Sequence, residues 1–399
     1  MKKEVLIAAS VFPPEPIVSA SLMANLAEEL SKTFDVTVLR PSPTRPKGFI
    51  MPEYDTSELP YKVIQLRTYT NAASSIIGRF RESMSMGRVY SKYIKKHHQR
   101  IDLIINDAWH LFGYNKVARA AVKYGIPYIV TVQDIYPESL ASKLPDIKWL
   151  RAIVMMLLGP IDHYTQSHAV KIHTISDKMR AILSATRNIP EDRYLIVRNW
   201  QDERPFLAVP DATEDQLFVF MYCGNVGPLA GVDTIMDAFA KAAIPNSKLV
   251  IAGSGSARAA LEEKGKKYSN SQIEFWDVPA GKVPEIQAKA NVMLLPVKKG
   301  FAMSSIPSKL PAYMFSSKPV LASVDAESDT AKCILDAQAG WVCEPENVNG
   351  IASLMREIAI MDKNSLKEKG AAGCNYALKL FSRTENLQIL VSACKAIMV

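Results

Sequence analysis

Short apolar segments alternate with helical patterns from one end of the chain to the other. Many of these segments are continuous aliphatic runs, which is typical of parallel strands buried on both faces. Strands are expected at Val5–Ala9, Val36–Leu39, Val63–Leu66, Leu103–Ile105, Tyr128–Val132, Ile172–Ile175, Tyr194–Val197, Phe218–Tyr222, Leu249–Ala252, Ile273–Trp276, Val292–Pro296, Val320–Ala322 and Trp341–Cys343. Helical patterns lie between most of them, for example at Leu22–Leu30, Val117–Val122, Val232–Ala242 and Arg258–Lys267. The alternation predicts an α/β fold with doubly wound parallel sheets.

The alternation divides into two halves of similar size. Asp, Glu, Pro and Ala cluster at Asp202–Thr213, between one predicted strand and the next, which indicates a linker. We therefore expect two Rossmann-like domains, over residues 1–205 and 206–381, followed by a helical stretch that Ser382 caps. Ligands of such sheets bind beyond the carboxyl ends of the strands, so the strand-end loops of both halves should face a common cleft.

Composition narrows the class of protein. The chain has 399 residues, of which 48% are hydrophobic and 22% charged, which is typical of a globular protein with more than one core. Its five cysteines show no CxxC spacing, so neither a disulfide framework nor a zinc site is expected. The apolar run Ala152–Gly159 is far shorter than a membrane span, and the N-terminal residues show no signal-peptide pattern. The composition therefore excludes four classes of protein, namely collagens, disordered proteins, disulfide scaffolds and integral membrane proteins.

The net charge of +8 lies entirely in the first half of the chain. Residues 1–205 carry 28 Lys and Arg against 20 Asp and Glu, whereas residues 206–399 carry 20 of each. Much of the excess falls in Arg79–Arg100, where helical spacing separates a basic face from an apolar one. The basic face has Arg81, Arg88, Lys92, Lys95 and Lys96, and the apolar face has Met86, Tyr90, Tyr93 and Ile94. This face is either an ordinary solvated surface or a site that docks on an anionic membrane. Binding of nucleic acid is a weaker alternative, because no nucleic-acid-binding motif accompanies the patch. We therefore expect no nucleic acid as a partner.

The second half contains the best candidate for a phosphate-binding segment, from Met303 to Met314. It follows a predicted strand and opens a helix with Ser308 as the expected N-cap and Pro311 at position N3. The amides near Ser308, Lys309 and Leu310 should then be free to bind an anion. Lys309 carries the wrong charge for a helix start, so the segment holds either a lysine that faces an anionic ligand or an ordinary surface lysine at a helix cap.

Two glycine turns follow strands in the same half. Gly224, Asn225 and Gly227 come directly after one strand, and Ser254 lies in the turn Gly253–Ser256 after the next. Glycines let a backbone approach a ligand closely, although ordinary strand–helix turns also contain them. The second turn lacks the third glycine of a dinucleotide fingerprint, so a nicotinamide cofactor is not expected.

In the first half, polar residues follow two strands. Phe12–Glu15 breaks the chain after the first strand, and either Ser19 or Ser21 is expected to cap the next helix. Gln133 and Asp134 follow another strand, at the edge where functional carboxylates commonly lie. The six histidines lack the spacing of a zinc helix, and no DxD pair is present, so no metal site is expected.

Taken together, these segments resemble glycosyltransferase family 4, which has the GT-B fold. The resemblance covers essentially the whole chain. It rests on Phe12–Glu15 with Leu26–Leu30, Val132–Glu138, Thr174–Asp177, Val197–Trp200, Tyr222–Gly227, Ile251–Gly255, and Pro307–Lys309 followed by Ser317–Val320. In this order and spacing the motifs are specific.

The resemblance implies that a sugar moves, with retention and without a metal or cofactor, from a nucleoside-diphosphate sugar, with UDP favoured. The second domain would hold the donor and the first the acceptor, while residues 382–399 would pack back on the first domain. The subgroup it resembles most builds lipid-linked O-antigen or capsule units with hexosyl- or N-acetylhexosaminyltransferases. That implies a lipid-diphosphate acceptor and a peripheral location at the cytoplasmic face of the bacterial membrane.

The resemblance assigns candidate residues to each role. Lys309 and Asp134 are the candidate catalytic residues. Donor binding is expected at Gly224, Asn225, Gly227, Ser254, Trp276, Val278, Ser304, Ser305, Ile306, Ser308 and Lys309. Acceptor binding is expected at Ser19, Ser21, His110, Gln133 and Asp134, and membrane contact at Arg88, Lys92, Lys95 and Lys96.

The chain departs from the family pattern at several positions that bind substrate. The two usual glutamates align on Ser304 and Ala312, and the usual Arg and Lys of the glycine turn align on Asn225 and Ala230. The paired glycines of the first loop align on Ile17 and Val18, and the usual histidine on Gln133. These losses leave two alternatives open, a catalytically inactive GT-B partner subunit and a GT-B sugar-nucleotide epimerase. A dinucleotide-dependent dehydrogenase ranks last.

Overall fold

The computed structural model of the chain describes residues 2–45, 50–70, 76–107, 111–142, 147–212, 217–268, 271–299 and 306–398. The fold divides into two compact units. The first comprises Met1–Asn199 with Asn386–Val399, and the second comprises Trp200–Glu385. The division lies ahead of Asp202–Thr213, because the short helix at Arg204–Leu207 already places Phe206 in the core of the second unit.

The first unit contains a parallel sheet of seven strands in the order β3-β2-β1-β4-β5-β6-β7. Its strands are β1 (Glu4–Ala8), β2 (Asp35–Arg40), β3 (Lys62–Gln65), β4 (Ile101–Asp107), β5 (Tyr128–Val132), β6 (Lys171–Thr174) and β7 (Tyr194–Ile196). Its helices are α1 (Val18–Ser31), α2 (Ile76–His97), α3 (Leu111–Lys123), α4 (Glu138–Ser142), α5 (Lys148–Ser167) and α6 (Asp177–Arg187), with a 3-10 turn at Glu191–Arg193.

The second unit contains a parallel sheet of six strands in the order β10-β9-β8-β11-β12-β13. Its strands are β8 (Phe218–Cys223), β9 (Ser247–Ala252), β10 (Ile273–Trp276), β11 (Val292–Pro296), β12 (Val320–Ser323) and β13 (Gly340–Cys343). Its helices are α7 (Arg204–Leu207), α8 (Val232–Ala242), α9 (Arg258–Gly265), α10 (Val283–Gln287), α11 (Lys309–Phe315), α12 (Asp329–Asp336), α13 (Val348–Ala359) and α14 (Lys363–Phe381). A last helix, α15 (Arg383–Ile397), leads back into the first unit.

The predicted fold class and every predicted strand are confirmed, with boundaries shifted by a residue or two. The strands are recognisable because central ones such as β4, β5, β8 and β9 are buried along nearly their whole length. The expected cap of the last helix is also present, since the Ser382 hydroxyl accepts the Glu385 N–H at 3.1 Å.

The predicted cap of α1 is wrong. Ile17 is the N-cap residue, and no side chain caps the helix, so Ser19 and Ser21 lie inside its first turn. The amides of Ala20 and Ser21 instead donate to the carbonyl oxygen of Ile17. The helix therefore begins ahead of both serines, where no residue with a capping side chain is present.

The basic segment forms α2 with the predicted faces. Arg88, Lys92, Lys95 and Lys96 are exposed, whereas Met86, Tyr90 and Ile94 are buried against the sheet. No helix within the described ranges is long and apolar enough to cross a membrane. Nor do those ranges contain a group of three His, Cys, Asp or Glu side chains that could hold a metal ion.

Candidate active site

Lys309, the first residue of α11, lies across Gly224 at the end of β8. Gly224 has a φ of +151°, a conformation that side chains rarely adopt. A Cβ atom at this position would overlap Cε of Lys309 and lie 2.9 Å from its Cδ. The lysine methylenes thus occupy the space that any side chain at position 224 would need.

The Lys309 ammonium lies in a half-buried setting without a carboxylate partner among the described residues. Its Nζ stands 5.6 Å from the centroid of the Tyr222 ring, over which it is placed for a cation–π contact. Burial lowers the pKa of Lys309, and the neighbouring Cys223 thiol opposes that shift only in part. A cation held away from water with no anion beside it is arranged to receive one.

The Tyr313 hydroxyl fixes α11 to the end of β8. It donates to the Cys223 carbonyl oxygen at 2.8 Å and accepts the Cys223 N–H at 3.0 Å. Tyr313 lies one helical turn after Lys309 and is fully buried. The tyrosine therefore holds the helix that carries Lys309 against the end of the strand that Gly224 follows.

The loop after β9 lies directly against the loop after β8. The Gly224 amide donates to the Ala252 carbonyl at 2.9 Å, and the Val226 amide donates to the Ser254 carbonyl at 2.8 Å. A Cβ atom on Gly253 would overlap the carbonyl of Gly224, so only glycine permits this approach. Gly224, Asn225, Gly227 and Ser254 are thereby brought to one edge of the second sheet.

Arg258 joins the loops after β9 and β10, a role that the sequence does not indicate. Its Nη1 donates to the Gly253 carbonyl at 2.7 Å and to Asp277 Oδ1 at 2.5 Å, and Nε donates to Glu262 at 2.8 Å. The Gly253 amide also donates to the carbonyl of Trp276 at 3.0 Å. These bonds fix the segment Trp276–Val278, which contains two of the predicted donor-binding residues, relative to the glycine turns.

Trp276 itself has partners on its ring and on its nitrogen. Lys248 and Lys289 each place Nζ 5.4 Å from the ring centroid, and Nε1 donates to Glu274 at 2.9 Å. Val278 and Ile306 are partly buried against the core of the unit. The Trp276 ring is thus held by charged neighbours, while the backbone after it stays at the edge of the sheet.

The start of α11 differs from the prediction in two details. Ser308 is the N-cap residue but has helical φ and ψ of −59° and −15°, and its side chain makes no capping bond. The Leu310 amide is not free, because it donates to the Pro307 carbonyl at 3.0 Å. Within the described residues, the amides of Ser308 and Lys309 have no acceptor. Ser304 and Ser305 lie outside the described residues.

In the first unit, Gln133 and Asp134 follow β5, and the Asp134 side chain is exposed. The segment after them is held by Arg187, which is buried at the end of α6. Its Nη2 donates to the Tyr136 carbonyl at 2.9 Å and to Glu138 Oε2 at 2.8 Å, and its Nη1 donates to Glu138 Oε1. The sequence offers no signal for this network.

Arg187 is in turn held by Asp162 of α5, whose Oδ2 accepts its Nε–H at 2.7 Å. Asp162 also accepts the Tyr114 hydroxyl and the Gln166 amide. Burial raises the pKa of Asp162, and the Arg187 guanidinium opposes that shift. Four buried polar side chains therefore bond to one another near the Asp134 loop, and among the described residues only Gln166 Oε1 of this group is left without a partner.

The segment after β1 is fixed by buried charges rather than left open. Glu15 is buried, and its Oε1 accepts the amides of Thr44 and Arg45 at 2.9 Å each. Arg40 donates to the Pro13 carbonyl and, at 2.9 Å, to Gln65. Phe12–Glu15 therefore has a structural role in holding the loop ahead of Ser19 and Ser21. His110 lies outside the described residues.

Two protein-family models match successive parts of the chain. One, described as a glycosyl transferase 4-like domain, matches residues 20–200. The other, described as glycosyl transferases group 1, matches residues 218–359. The two matches fall on the first and second units in turn.

The chain is similar to two curated bacterial proteins. It is 23% identical over 257 residues to the probable glycosyltransferase WbjE of Pseudomonas aeruginosa, with 61% of this chain and 62% of WbjE covered. It is 19% identical over 216 residues to the putative colanic acid biosynthesis glycosyl transferase WcaI of Escherichia coli K12, with 51% and 53% covered. The chain thus spans less than two thirds of the length of either relative.

Solved structures share the fold over essentially the whole chain. The crystal structure of Anabaena HepE in complex with UDP has a TM-score of 0.66 at 13% identity and covers 99% of this chain and 100% of HepE. A HepE structure with UDP-glucose has a TM-score of 0.60 at 14% identity, with 99% and 100% covered. A glycosyltransferase from Rickettsia africae has a TM-score of 0.68 at 13% identity, with 100% and 99% covered. These likenesses show the predicted GT-B fold.

Proposed function

We propose that this chain, which belongs to the group 1, GT4-like glycosyltransferases, moves a sugar from a nucleoside-diphosphate sugar to a lipid-diphosphate-linked acceptor. The observation that carries the donor part is the half-buried Lys309, whose methylenes cross Gly224 and whose ammonium lies over the Tyr222 ring. The acceptor part is supported by the basic excess of the first unit and by bacterial polysaccharide relatives at low identity.

Lys309 would neutralise the diphosphate as it leaves the sugar. Departure of a nucleoside diphosphate concentrates negative charge on its phosphate oxygens, and a cation already held in place stabilises that charge without reorganising. The amides of Ser308 and Lys309 would add two hydrogen-bond donors, and Gly224 and Asn225 would line the other side. Ser304, Ser305 and Ile306 would contact the donor sugar. We propose transfer with retention and without a metal, with the lysine supplying the positive charge.

The nucleotide base would contact the backbone from Trp276 to Val278, which Arg258 fixes beside Ser254. UDP is the favoured nucleotide, because HepE structures hold UDP and UDP-glucose on the same fold. We infer the base from that likeness, and the panel of nucleotides below tests it.

In the first unit, Asp134 would orient the acceptor hydroxyl, with Gln133, Ser19, Ser21 and His110 around the acceptor. The exposed cations Arg88, Lys92, Lys95 and Lys96 of α2 would bring the protein to an anionic membrane, where each contributes on the order of 1 kcal/mol. The protein would then act at the cytoplasmic face of a bacterial membrane, in synthesis of O-antigen or capsule.

The donor proposal is tested by thermal stability against UDP-, GDP-, dTDP- and CMP-sugars. A ligand at about 100 times its Kd stabilises the folded protein by about 2.7 kcal/mol. We expect a shift with the UDP-sugars, loss of that shift in Lys309→Ala, and transfer that persists in EDTA. Lys282→Ala, which removes an exposed lysine of the same unit, is the matched control. A normal shift and normal turnover in Lys309→Ala would refute the role of the lysine.

A second candidate function is that of an inactive partner subunit. It is favoured by position 312, where the family pattern has its second glutamate and this chain has a buried alanine on α11. No thermal shift with any nucleotide, together with co-purification of an active transferase, would support this function over transfer.

A further inference from the structure

The N-terminal half of α5 is an apolar helical segment whose described side chains are all at least partly exposed. Nine of the thirteen residues from Lys148 to Pro160 are Trp, Leu, Ile, Val, Met or Ala. None of the described side chains in this stretch is buried, and Trp149, Met156 and Leu157 are 65%, 67% and 60% exposed. A contiguous exposed apolar surface of this kind normally contacts a partner or a membrane.

The length of α5 explains why this half is uncovered. A helix of 20 residues is about 30 Å long, whereas a five-residue strand spans about 17 Å. The C-terminal half is packed in the first unit, where Asn115 of α3 donates to Ile161 O at 3.0 Å and to Thr165 Oγ1 at 2.9 Å. The N-terminal half therefore extends past the carboxyl edge of the sheet.

The charges on this half favour one class of partner. Lys148 and Arg151 are its only charged residues, and the first acid of the helix is Asp162, which is buried in the Arg187 network. Aromatic and aliphatic side chains with flanking cations and no acids suit the interface of a lipid bilayer. A protein partner would more commonly meet a mixed polar rim.

A pocket on α2 lies on the same side of the sheet. Its volume is about 490 Å³, and Phe80, Met84 and Val89 form its apolar part. Arg81, Arg88 and Lys92 line it as well, with the Arg81 guanidinium 4.9 Å from the Tyr69 ring centroid. No described carboxylate forms an ion pair with Arg88 or Lys92. An anionic headgroup attached to a hydrocarbon chain fits this combination of charges and apolar surface.

Helices α2 and α5 both pack on α3. Gly87 of α2 lies so close to α3 that a Cβ atom there would stand 3.0 Å from Gly113 Cα. The helices precede β4 and β6 of a parallel sheet, so both begin at its carboxyl edge. The α2 pocket and the apolar half of α5 therefore flank one helix within one unit.

We propose that the N-terminal half of α5 inserts its apolar side chains into the interface of a lipid bilayer, while the α2 pocket binds an anionic headgroup. The inference deepens the membrane part of the proposed function and is independent of the donor. Two contributions to membrane binding are then separable. Insertion of α5 needs no lipid charge and resists salt, whereas binding of a headgroup in the α2 pocket needs both anionic lipid and low salt.

The test is sedimentation with phosphatidylcholine vesicles, with and without phosphatidylglycerol. Trp149→Ser, Met156→Ser and Leu157→Ser together should lower binding to both vesicles on the order of 100-fold. Arg88→Gln with Lys92→Gln should lower binding to the anionic vesicles about 25-fold and leave binding to neutral vesicles unchanged. Leu335→Ser with Ile360→Ser, two exposed apolar residues of the second unit, is the matched control.

Unchanged vesicle binding by the α5 variant would overturn the proposal. So would a wild-type protein that ignores vesicles but forms a dimer that the α5 variant loses, because α5 would then be a protein interface. The thermal shift with UDP-sugars, measured on the same variants, reports the donor site separately. Its absence in the wild type would remove the proposed donor without affecting the vesicle result.

Discussion

The methylene chain of Lys309 fills the space in which a side chain at Gly224 would lie. Lys309 begins α11 and Gly224 directly follows β8, and the buried Tyr313 hydroxyl joins this helix to this strand through both backbone groups of Cys223. The position of the ammonium thus depends on a missing side chain at the end of one strand and on a tyrosine one turn along the helix. Each dependence can be tested without removing the lysine.

Gly224→Ala should impair donor binding more than folding. The new methyl group displaces the lysine chain, which is flexible and can move, so the main loss of stability comes from the positive φ and is about 1–2 kcal/mol. The ammonium moves with the displaced side chain, so the affinity for UDP-sugars should fall at least about tenfold. The thermal shift measures this loss. Gly281→Ala, with a φ of +77° and no atom within 4 Å, carries the backbone effect alone. An unaltered donor affinity in Gly224→Ala would contradict this dependence.

Tyr313→Phe should lower the free energy of unfolding by about 1–3 kcal/mol, since it leaves a buried N–H and C=O of Cys223 without their partner. Because the ring still fits, the effect isolates the hydroxyl. Urea titration gives the stability, and donor titration gives the effect on Lys309. A variant as stable as the wild type would show that the two bonds contribute nothing.

The sequence predicts the strands well and the polar contacts poorly, for one physical reason. A parallel strand buried on both faces is a local run of apolar residues, so β8 and β9 are visible in the sequence. The bond from Arg258 to Asp277 and the contact of Lys309 with Gly224 join residues far apart in the chain, and no local pattern marks them.

The sequence predicts the helix caps with mixed success, because a cap depends on the residue at which the helix begins. Ser382 was recognisable because a break in the pattern precedes it, and its hydroxyl does cap α15. Ser308 occupies the expected position but keeps helical backbone angles, which direct its side chain away from a capping bond. The roles of Asp134, Lys309 and the other candidate site residues stay predictions.

Arg187→Ala should destabilise the first unit by about 3–5 kcal/mol, because it leaves the carboxylate of Asp162 buried without its cation. Arg187→Lys should recover part of this loss, since it restores the charge but cannot reach Asp162, Glu138 and the Tyr136 carbonyl together. Glu138→Gln should cost less than about 1 kcal/mol, because Glu138 is partly exposed. Urea titration of the three variants gives this order, and an equal loss for Arg187→Ala and Glu138→Gln would refute it.

Stability at acid pH should depend on His173, which is buried in β6 with Nε2 2.9 Å from the Val197 carbonyl. Burial lowers the pKa of His173 from 6.5 to about 4. Between these values the unfolded chain binds a proton that the folded protein does not, so the free energy of unfolding falls by about 1.4 kcal/mol per pH unit as the pH decreases. In His173→Gln the amide can still donate to Val197, and this contribution should disappear.

The titration of Asp107 must be distinguished from that of His173, because it changes the free energy of unfolding with pH in the opposite direction. Asp107 pairs with Thr131, which pairs with His173 on the other side. Burial raises the pKa of Asp107 to about 6, so the folded protein binds its proton first and gains stability as the pH falls from about 6 to about 4. Since Asp107 is present in both proteins, the difference between wild type and His173→Gln isolates the histidine. Parallel stability curves for the two proteins between pH 6.5 and 4 would contradict a buried neutral imidazole.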